Sequence, residues 1–547
     1  MKMFHKKENL IIFVFAVVYF FTALSFILPS GLKNCDLAKS KCEIEVAIYH
    51  AHDAFWHMAI AENSFKSFPP KHPIYFGTNL SHYNYLFDLL LFLVKKIFGV
   101  PIIVGYFQLF PVVTSVLYIA GTFLVLNKLN INRSAKIFTA LFLFLGNSFA
   151  FIMTIFTRGN LVNSAVQGFP LVLTISPINM FYNNQFALSL PIILFGVHLL
   201  KAHENRSKYL LIWLATIIFL LTWLKVYAAF ALMLYTFFYL VIRGLKNTHL
   251  LRRNIFMIAI LAVVLFATSY VVGGGGKGVF TYDPLAFIRS LIDDPSHMFR
   301  EQISLARTTL ESSGKFSIRL VLMYVTFILL FYLINFGARI LGVFAILYWV
   351  KDKKIPDYVV SSIFATLILS IIPMFILQKG DWFNTMQFLY YGVFFSCFVA
   401  GYALSRFPGK FKKLVFVLIF ISILIPTIDQ LRISFNSKKV VVDSDFIDAA
   451  LYLSRLPFDG VSIYGKGFED SRLPAFSGKS QMIGDLPVLE NTFVNYRSRY
   501  EEQKKLGYVK KSKYIFIDIY LNPDWNKKLK TKKLLFKNKH YALVENN

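Results

Sequence analysis

The sequence has few charged residues for its length. Of its 547 residues only 16% are charged, whereas soluble globular proteins usually carry about 25%. Hydrophobic residues make up 56% of the chain and aromatic residues 17%. This scarcity of charge excludes an ordinary soluble protein and indicates a chain that is largely surrounded by lipid.

Acidic residues are especially rare, with 30 Asp and Glu against 58 Lys and Arg and a formal net charge of +28. In a soluble protein this imbalance would suggest nucleic-acid binding. In a membrane protein, however, Lys and Arg collect in the short cytoplasmic loops because they fix the orientation of the spans. We therefore expect a lipid bilayer around the chain and no nucleic-acid partner.

Cysteine is also scarce, with three residues in the whole chain. Cys35 and Cys42 lie close together, Cys397 lies in a late apolar stretch, and no zinc-ligand spacing is present. Either a small disulfide loop or two free thiols fits the first pair. No small-residue cleavage site follows the apolar run from Leu10 to Leu28, so we interpret that run as a retained membrane anchor.

Long apolar stretches dominate the rest of the sequence, and a span needs about 20 such residues. We predict about eleven spans, at 9–28, 101–126, 135–156, 185–200, 209–224, 226–242, 255–272, 320–350, 358–377, 385–404 and 412–429. Alternate loops between these spans are basic, which predicts a cytoplasmic N-terminus and a C-terminal part on the outer side. The stretch 320–350 is too long for one upright helix, so we expect it to be tilted or partly interfacial.

One apolar helix, 85–98, carries Asp88, Lys95 and Lys96. Counting it as a span would reverse the side on which every later loop lies. We therefore predict an amphipathic helix that lies along the outer surface of the membrane.

The predicted spans divide the chain into a transmembrane domain, 1–429, and an extracytoplasmic domain, 430–547. The first outer loop, 30–100, belongs to the transmembrane domain in this division. The tail is predicted to be a small α/β module, with a helix at 443–456, strands at 460–464 and 514–520, and an edge strand at 541–544.

The densest polar cluster lies in the first outer loop and contains His50, His52, Asp53, His57 and Glu62. On a helix Asp53 and His57 are four residues apart and share a face, so the carboxylate can orient the imidazole or the two can share a metal. The alternative is that Asp53 caps the helix while the histidines lie at the lipid headgroups.

Three further features follow this cluster: a Pro-rich turn, FPPKHP at 68–73; the helix 85–98; and the entry FGVP, 98–101, to the second span. Together with an Asp in the first outer loop, their order resembles the GT-C superfamily of membrane glycosyltransferases. That superfamily includes protein mannosyltransferases, aminoarabinose transferases and the catalytic subunits of oligosaccharyltransferases. The segments 380–388 and 473–479 are similar, less specifically, to later motifs of such proteins.

The resemblance implies a bacterial-type, multi-pass protein of the plasma membrane with a GT-C-like α-helical fold. It also implies transfer of a sugar from a polyprenyl-phosphate donor to an extracytoplasmic acceptor, either an envelope glycan, a lipid or a protein. Asp53 matches the first-loop Asp of the family and is expected to be the general base, with His52 and His57 orienting or tuning it. His82 and Tyr83 are expected to line the pocket.

The leaving lipid phosphate needs positive charge near it. Arg158, Lys225 and Lys379 are candidates because charges at membrane depth are costly, although a basic residue near a helix end can also extend to the interface. Asn384, in the 380–388 segment, is a further substrate-binding candidate. In the tail, Arg497 and Arg499 are expected to be exposed for contacts with the acceptor or the glycan.

Some GT-C members bind a divalent cation with a second carboxylate in the next outer loop. Here that loop, 157–184, has no Asp or Glu, and a hard cation prefers carboxylate ligands. We therefore expect no cofactor and a metal-independent mechanism, although His50, His52, His57 and His82 leave a transition-metal site open.

The run GGGGKG at 273–278 lacks the Ser or Thr of a phosphate-binding P-loop and follows a predicted span, so a hinge is the better interpretation.

The main rival function is a transporter or flippase for a lipid-linked or anionic solute. Transporters tend to show two related halves with interrupted helices, and no such internal symmetry is visible. A non-catalytic scaffold would leave the His and Asp cluster unexplained.

Overall fold

A computed structural model describes residues 7–36, 41–129, 131–149, 177–202, 207–273, 280–294, 300–349, 355–379 and 382–546. Arg158 and most of the loop 157–184 lie outside these ranges. The side chains of Cys35, Cys42 and His52 also lie outside the described part, and the disulfide loop and the pair of free thiols stay alternatives.

Helices make up most of the N-terminal four fifths of the chain. The first nine are α1 (Lys7–Ile27), α2 (Ile48–Asn63), α3 (Leu86–Phe98), α4 (Ile102–Lys128), α5 (Arg133–Leu145), α6 (Asn184–Ala202), α7 (Ser207–Leu224), α8 (Val226–Lys246) and α9 (Thr248–Val272). The next seven are α10 (Ala286–Asp293), α11 (Glu301–Ser312), α12 (Ile318–Phe336), α13 (Arg339–Trp349), α14 (Asp357–Ile371), α15 (Met386–Ser405) and α16 (Gly409–Asn436).

Nine helices in the described ranges are long and apolar enough to cross a membrane: α1, α4, α6, α8, α9, α12, α14, α15 and α16. They confirm a polytopic α-helical membrane protein. The predicted spans at 135–156 and 209–224 begin in the shorter helices α5 and α7. With 13 residues, α3 is too short for the about 20 residues that a span requires.

The stretch 320–350 is two helices and not the single long one that was predicted. The chain turns at Gly337, where φ is +55°, a conformation that an L side chain rarely adopts. A Cβ at this position would lie 2.0 Å from the carbonyl oxygen of Asn147. Glycine therefore permits both the turn between α12 and α13 and the close approach to Asn147.

The described chain forms two compact units. The first contains Met1–Ile27, Val112–Ser269 and Lys277–Asn436, and the second contains Leu28–Pro111, Tyr270–Gly276 and Ser437–Asn547. In the first unit α15 is almost wholly buried, since it packs against α5, α13 and α14. The apolar character of α15 on all faces fits this central position.

The second unit combines the first outer loop with the tail, which the predicted division at residue 429 had separated. The strands of the chain are β1 (Gly31–Asp36), β2 (Lys41–Ala47), β3 (Phe280–Tyr282), β4 (Ile376–Gln378), β5 (Lys439–Val442), β6 (Val461–Ile463), β7 (Tyr514–Asp518), β8 (Lys533–Lys537) and β9 (Tyr541–Glu545). Strand β2 pairs with β1 on one side and with β5 of the tail on the other, both antiparallel, and Ile44 is the partner of Val442. A backbone ladder therefore joins loop and tail.

The tail is an α/β module, as predicted, with a four-stranded sheet in the order β6-β7-β9-β8. Its helices are α17 (Ser444–Ser454), α18 (Arg472–Ser477), α19 (Leu486–Asn491), α20 (Arg497–Leu506) and α21 (Trp525–Lys528). The carboxylate of Asp443 accepts a hydrogen bond from the Phe446 amide at 2.7 Å and starts α17. The predicted edge position of 541–544 is wrong, because β8 pairs along the outer side of β9.

Candidate functional site

Helix α2 carries the two residues that the sequence paired. It starts at Ile48, directly after β2, so its first turns are fixed by the sheet that joins loop and tail. The Nε2 atom of His57 lies 3.5 Å from Oδ2 of Asp53, one turn earlier. The His57 side chain is 1% exposed and that of Asp53 is 34% exposed, so only the carboxylate can meet a substrate.

A third residue, Asp88, completes a chain of side chains that the sequence analysis missed. It lies in the first turn of α3, is 0% exposed, and its Oδ1 is 2.7 Å from Nδ1 of His57. The order Asp88–His57–Asp53 therefore runs from the protein interior to the surface. The clue in the sequence was an acidic residue within an otherwise apolar helix, which we had assigned to the membrane surface.

Aromatic rings close the site around the imidazole. The rings of Tyr83, Phe87 and Tyr106 lie with centroids 6.2, 6.0 and 6.1 Å from that of His57. They keep water from the His57–Asp88 pair, and a low local dielectric strengthens the attraction between opposite charges. Burial and the nearby Asp88 and Asp53 carboxylates raise the pKa of Tyr83, which keeps its hydroxyl protonated.

The electrostatics of the pair give His57 a positive charge. Burial lowers the pKa of His57, but the charges of Asp88 and Asp53 outweigh burial and raise that pKa to about 10. Burial also raises the pKa of Asp88, and the charge of His57 opposes that rise. At neutral pH His57 is therefore an imidazolium that keeps both ring protons, one facing each carboxylate.

The other histidines of the loop have different surroundings. His82 has a positive φ of 58°, and its Nδ1 lies 2.5 Å from the carbonyl oxygen of Gly273, which fixes its ring. The Nδ1 of His50, a 2% exposed residue, lies 3.3 Å from the Ser30 hydroxyl. Where the chain is described, no group of three His, Cys, Asp or Glu side chains is arranged to hold a metal. The metal-independent mechanism stays a prediction.

The predicted phosphate-binding residues that are described lie in the first unit. Lys225 is 8% exposed and immediately precedes α8, whereas Lys379 is exposed. The Tyr227 hydroxyl donates to the side chain of Gln378, which brings the start of α8 beside the segment that contains Lys379. Asn384 is half-buried and accepts a hydrogen bond from the Gln387 side chain at 2.9 Å.

Arg499 has a structural position that the sequence did not suggest. Its guanidinium lies 4.0 Å from the centre of the Tyr75 ring and donates to the carbonyl oxygens of Phe76 and Met482 at 2.9 and 2.8 Å. It thus joins the first outer loop to the tail and is not free for contacts with a substrate. Arg497, on the same helix, is exposed.

Comparison with known proteins finds similarity in structure. No protein-family model matches the sequence, and no curated protein matches it. The chain is similar to the oligosaccharyltransferase of Archaeoglobus fulgidus, solved with zinc and sulfate, at 14% identity and a TM-score of 0.50, over 97% of this chain and 73% of the other. This similarity shows a shared fold.

Two further solved structures match with lower scores. ArnT from Cupriavidus metallidurans is 11% identical with a TM-score of 0.38, over 98% of this chain and 97% of the other. The arabinofuranosyltransferase AftD from Mycobacteria is 13% identical with a TM-score of 0.48, over 98% and 40%. Because these two scores lie below 0.5, the shared fold rests on the match to the oligosaccharyltransferase. That fold is the GT-C fold, which the order of the first-loop motifs indicated.

Proposed function

We propose that this GT-C-fold chain is a membrane glycosyltransferase, with a polyprenyl-phosphate sugar as donor, an extracytoplasmic acceptor and Asp53 as general base. The observation that carries the proposal is the chain of three side chains in which a buried ion pair holds one partly exposed carboxylate. A fold alone does not specify a function, so the proposed role follows from the chemistry that this carboxylate can perform.

The reaction requires a base because an acceptor hydroxyl is a weak nucleophile. Its oxygen attacks the anomeric carbon of the donor sugar while its proton passes to Asp53. The bond from that carbon to the phosphate oxygen breaks, and the polyprenyl phosphate leaves with the electron pair. A positioned base of this kind contributes about 10²- to 10⁴-fold to the rate.

His57 serves as the positioning residue and Asp53 as the base. An imidazolium with a pKa of about 10 holds its protons at neutral pH, so it cannot accept one from the substrate. Its charge favours the ionised form of the adjacent Asp53 carboxylate. Asp88, on the other side of the ring, fixes the ring orientation through the 2.7 Å contact.

The leaving phosphate gains negative charge in the transition state and needs a cation. Lys225 and Lys379, together with Arg158, are our candidates for this role, and Asn384 for a neutral contact with the donor. We expect Lys225→Met and Lys379→Met to raise the KM for the donor severalfold. Lys128→Met, on an exposed residue at the end of α4, is the matched control and should leave that KM unchanged.

The test is sugar transfer in liposomes that contain purified protein, a panel of polyprenyl-phosphate sugars and a hydroxyl acceptor. Wild-type protein should release polyprenyl phosphate, and Asp53→Asn should reduce the rate by about 10²- to 10⁴-fold. Asp524→Asn, an exposed carboxylate in the tail, should keep full activity.

If Asp53→Asn retained full transfer, Asp53 would not be the general base, but the protein would still be a glycosyltransferase. No turnover with any donor, combined with movement of intact donor across the bilayer, would favour a transporter.

We also propose that the N-terminus is cytoplasmic and the tail lies outside the plasma membrane. A phosphatase reporter that is inactive when fused after Asn547 would contradict this orientation.

A further inference from the structure

Helix α2 has a second face that lines a pocket. Residues on a helix are separated by about 100°, so Ala51 and Phe55, each two residues from Asp53, both point about 160° away from it and line a different space. That space is a pocket of about 630 Å³ between α2 and the tail segment 466–472, all within the second unit. Pockets for small organic ligands measure about 300–1,000 Å³.

The wall formed by segment 466–472 is held in a fixed conformation. Gly465 and Gly467 have positive φ angles of 62° and 91°, and the Lys466 amide donates to the Asn522 side chain at 3.2 Å. A Cβ on Gly465 would lie 2.1 Å from the Asn522 side-chain oxygen. The glycine conformations and the hydrogen bond to Asn522 therefore favour a rigid wall at residues 465–467 over a mobile loop.

Hydrogen bonds fix the far end of the same wall. The carbonyl oxygen of Asp470 accepts from the side chain of Gln481 at 2.7 Å, and the Asp470 carboxylate pairs with the Arg472 guanidinium. Ser471 is 6% exposed, and its hydroxyl has no partner within the described ranges. A buried hydroxyl without a partner costs about 1–3 kcal/mol, and a ligand hydroxyl group in the pocket that Ser471 lines would satisfy it.

The lining contains both signs of charge together with aromatic rings. Phe55 and Phe468 supply apolar surface, Lys466 and Arg472 supply donors, and Glu469, Asp470 and Asp485 supply acceptors. The pocket lining has three acidic and two basic side chains, so its net negative charge disfavours a phosphorylated or sulfated ligand. The charged groups also exclude a purely apolar one, because they would lose water without a partner.

We propose that this pocket binds a neutral saccharide of one or two hexose units. Sugar hydroxyls both donate and accept, so they can bond to carboxylates and to cations in the same site. The apolar face of a sugar ring can pack on an aromatic side chain such as Phe55 or Phe468. The inference goes beyond the proposed transfer reaction, because the pocket lies on the face of α2 away from Asp53 and binding there requires no turnover.

Binding is measured on the full-length protein in detergent micelles, by isothermal titration and saturation-transfer NMR, with maltose, lactose and N,N′-diacetylchitobiose as probes. At least one of them should bind with a millimolar Kd. Glu469→Gln and Lys466→Met remove one charged partner each, and both residues are exposed, so the fold should tolerate the changes. Each variant should weaken binding about tenfold, as expected for loss of one charge-assisted hydrogen bond.

Matched controls use exposed residues of α20 outside the pocket. Glu501→Gln and Lys505→Met should bind the saccharide as the wild type does. The proposal is overturned if none of the three probes binds, if both pocket variants bind as the wild type does, or if an unglycosylated peptide binds in place of sugar. Asp53→Asn should retain saccharide binding while it loses transfer, so the two proposals fail separately.

Discussion

Two buried histidines of the second unit, His57 and His72, have opposite charge states. Each is 1% exposed, so burial disfavours the imidazolium in both. Within the described part of the chain His72 contacts only neutral partners: its Nε2 lies 3.1 Å from the Thr492 hydroxyl, and burial lowers its pKa to about 3. For His57 two carboxylates outweigh the same penalty and raise the pKa to about 10.

The comparison separates a structural histidine, His72, from His57, the histidine that is proposed to position Asp53. Neutral His72 carries a single N–H, which it can give to Thr492, and it accepts from the Ile74 amide at 3.4 Å. It therefore fastens the first outer loop to the tail. Charged His57 has an N–H facing each carboxylate, and one of these carboxylates is open to substrate. Burial together with fixed negative charge marks the candidate site more clearly than the presence of histidine does.

Among the changes that test this comparison of the two histidines, the largest effect should come from making His57 resemble His72. Asp88→Asn keeps a hydrogen-bond acceptor for Nδ1 but removes its charge, so the pKa of His57 should fall. In the wild type we expect transfer to decline only as the pH rises through about 10, where His57 loses its charge. In Asp88→Asn that decline should begin at lower pH, and kcat at neutral pH should fall about 10- to 100-fold.

The measurement for Asp88→Asn is the pH dependence of kcat in liposomes, with Asp524→Asn as control. A purely structural role for Asp88 would lower activity equally at every pH. An unchanged alkaline limb in a folded Asp88→Asn protein would therefore contradict the assignment of His57 as an imidazolium.

The second effect concerns stability, where the two histidines should act at opposite ends of the pH scale. The folded-state pKa of His72, about 3, lies below the unfolded value of about 6.5. The unfolded chain thus binds a proton that the folded chain does not, and the stability contributed by neutral His72 is lost as the pH falls from 6.5 towards 3. His57, with its raised pKa, stabilises fully below about 6.5, and this contribution is lost as the pH rises through about 10.

Thermal unfolding of the detergent-solubilised protein between pH 4 and pH 10 would test this difference. His72→Asn should flatten the acid side of the stability curve and His57→Gln should flatten the alkaline side. If His72→Asn changed only the alkaline side, the neutral assignment of His72 would be wrong.

The smallest effect should follow from removing the partner of His72. Thr492→Val has a similar shape but leaves the Nε2–H of His72 buried without an acceptor, which costs about 1–3 kcal/mol. Because His57 and its carboxylates are unaffected, the pH profile of kcat should keep its shape. Chemical unfolding of Thr492→Val measures the loss of stability, and the pH dependence of its kcat measures the effect on the reaction. A shifted pH profile of kcat would link His72 to the reaction.

Much of the fold was predictable because lipid imposes simple rules on sequence. A helix in a bilayer must satisfy its backbone internally and present about 20 apolar residues, and this pattern places most of the spans. The break at Gly337 was not predicted, although Asn335 and Arg339 flank this glycine within the apolar stretch. Strand β8 escaped notice because its lysines made the segment resemble a solvated loop.

Only those contacts of the candidate site that join residues close together in the sequence were predictable. Asp53 and His57 are four residues apart, so helix geometry alone brings them together. Asp88 is 31 residues from His57, and their contact depends on how α2 packs against α3, which no periodicity reveals. Arg499 was misjudged for the same reason, because its partners Tyr75 and Phe76 lie in the distant first outer loop.

The pairing of β2 with β5 constrains how the protein is made. Ile44 and Val442 are partners in this ladder, so the sheet that precedes the Asp53 helix must wait for a strand about 400 residues later in the chain. At synthesis rates of about 5–20 residues per second, the wait is about 20–80 s, during which the first outer loop is exposed without its partner strand. A nascent chain that stops before residue 437 would contain the nine long apolar helices that the structure describes and still lack β5, so α2 gains this neighbouring ladder only after residues 439–442 have been made.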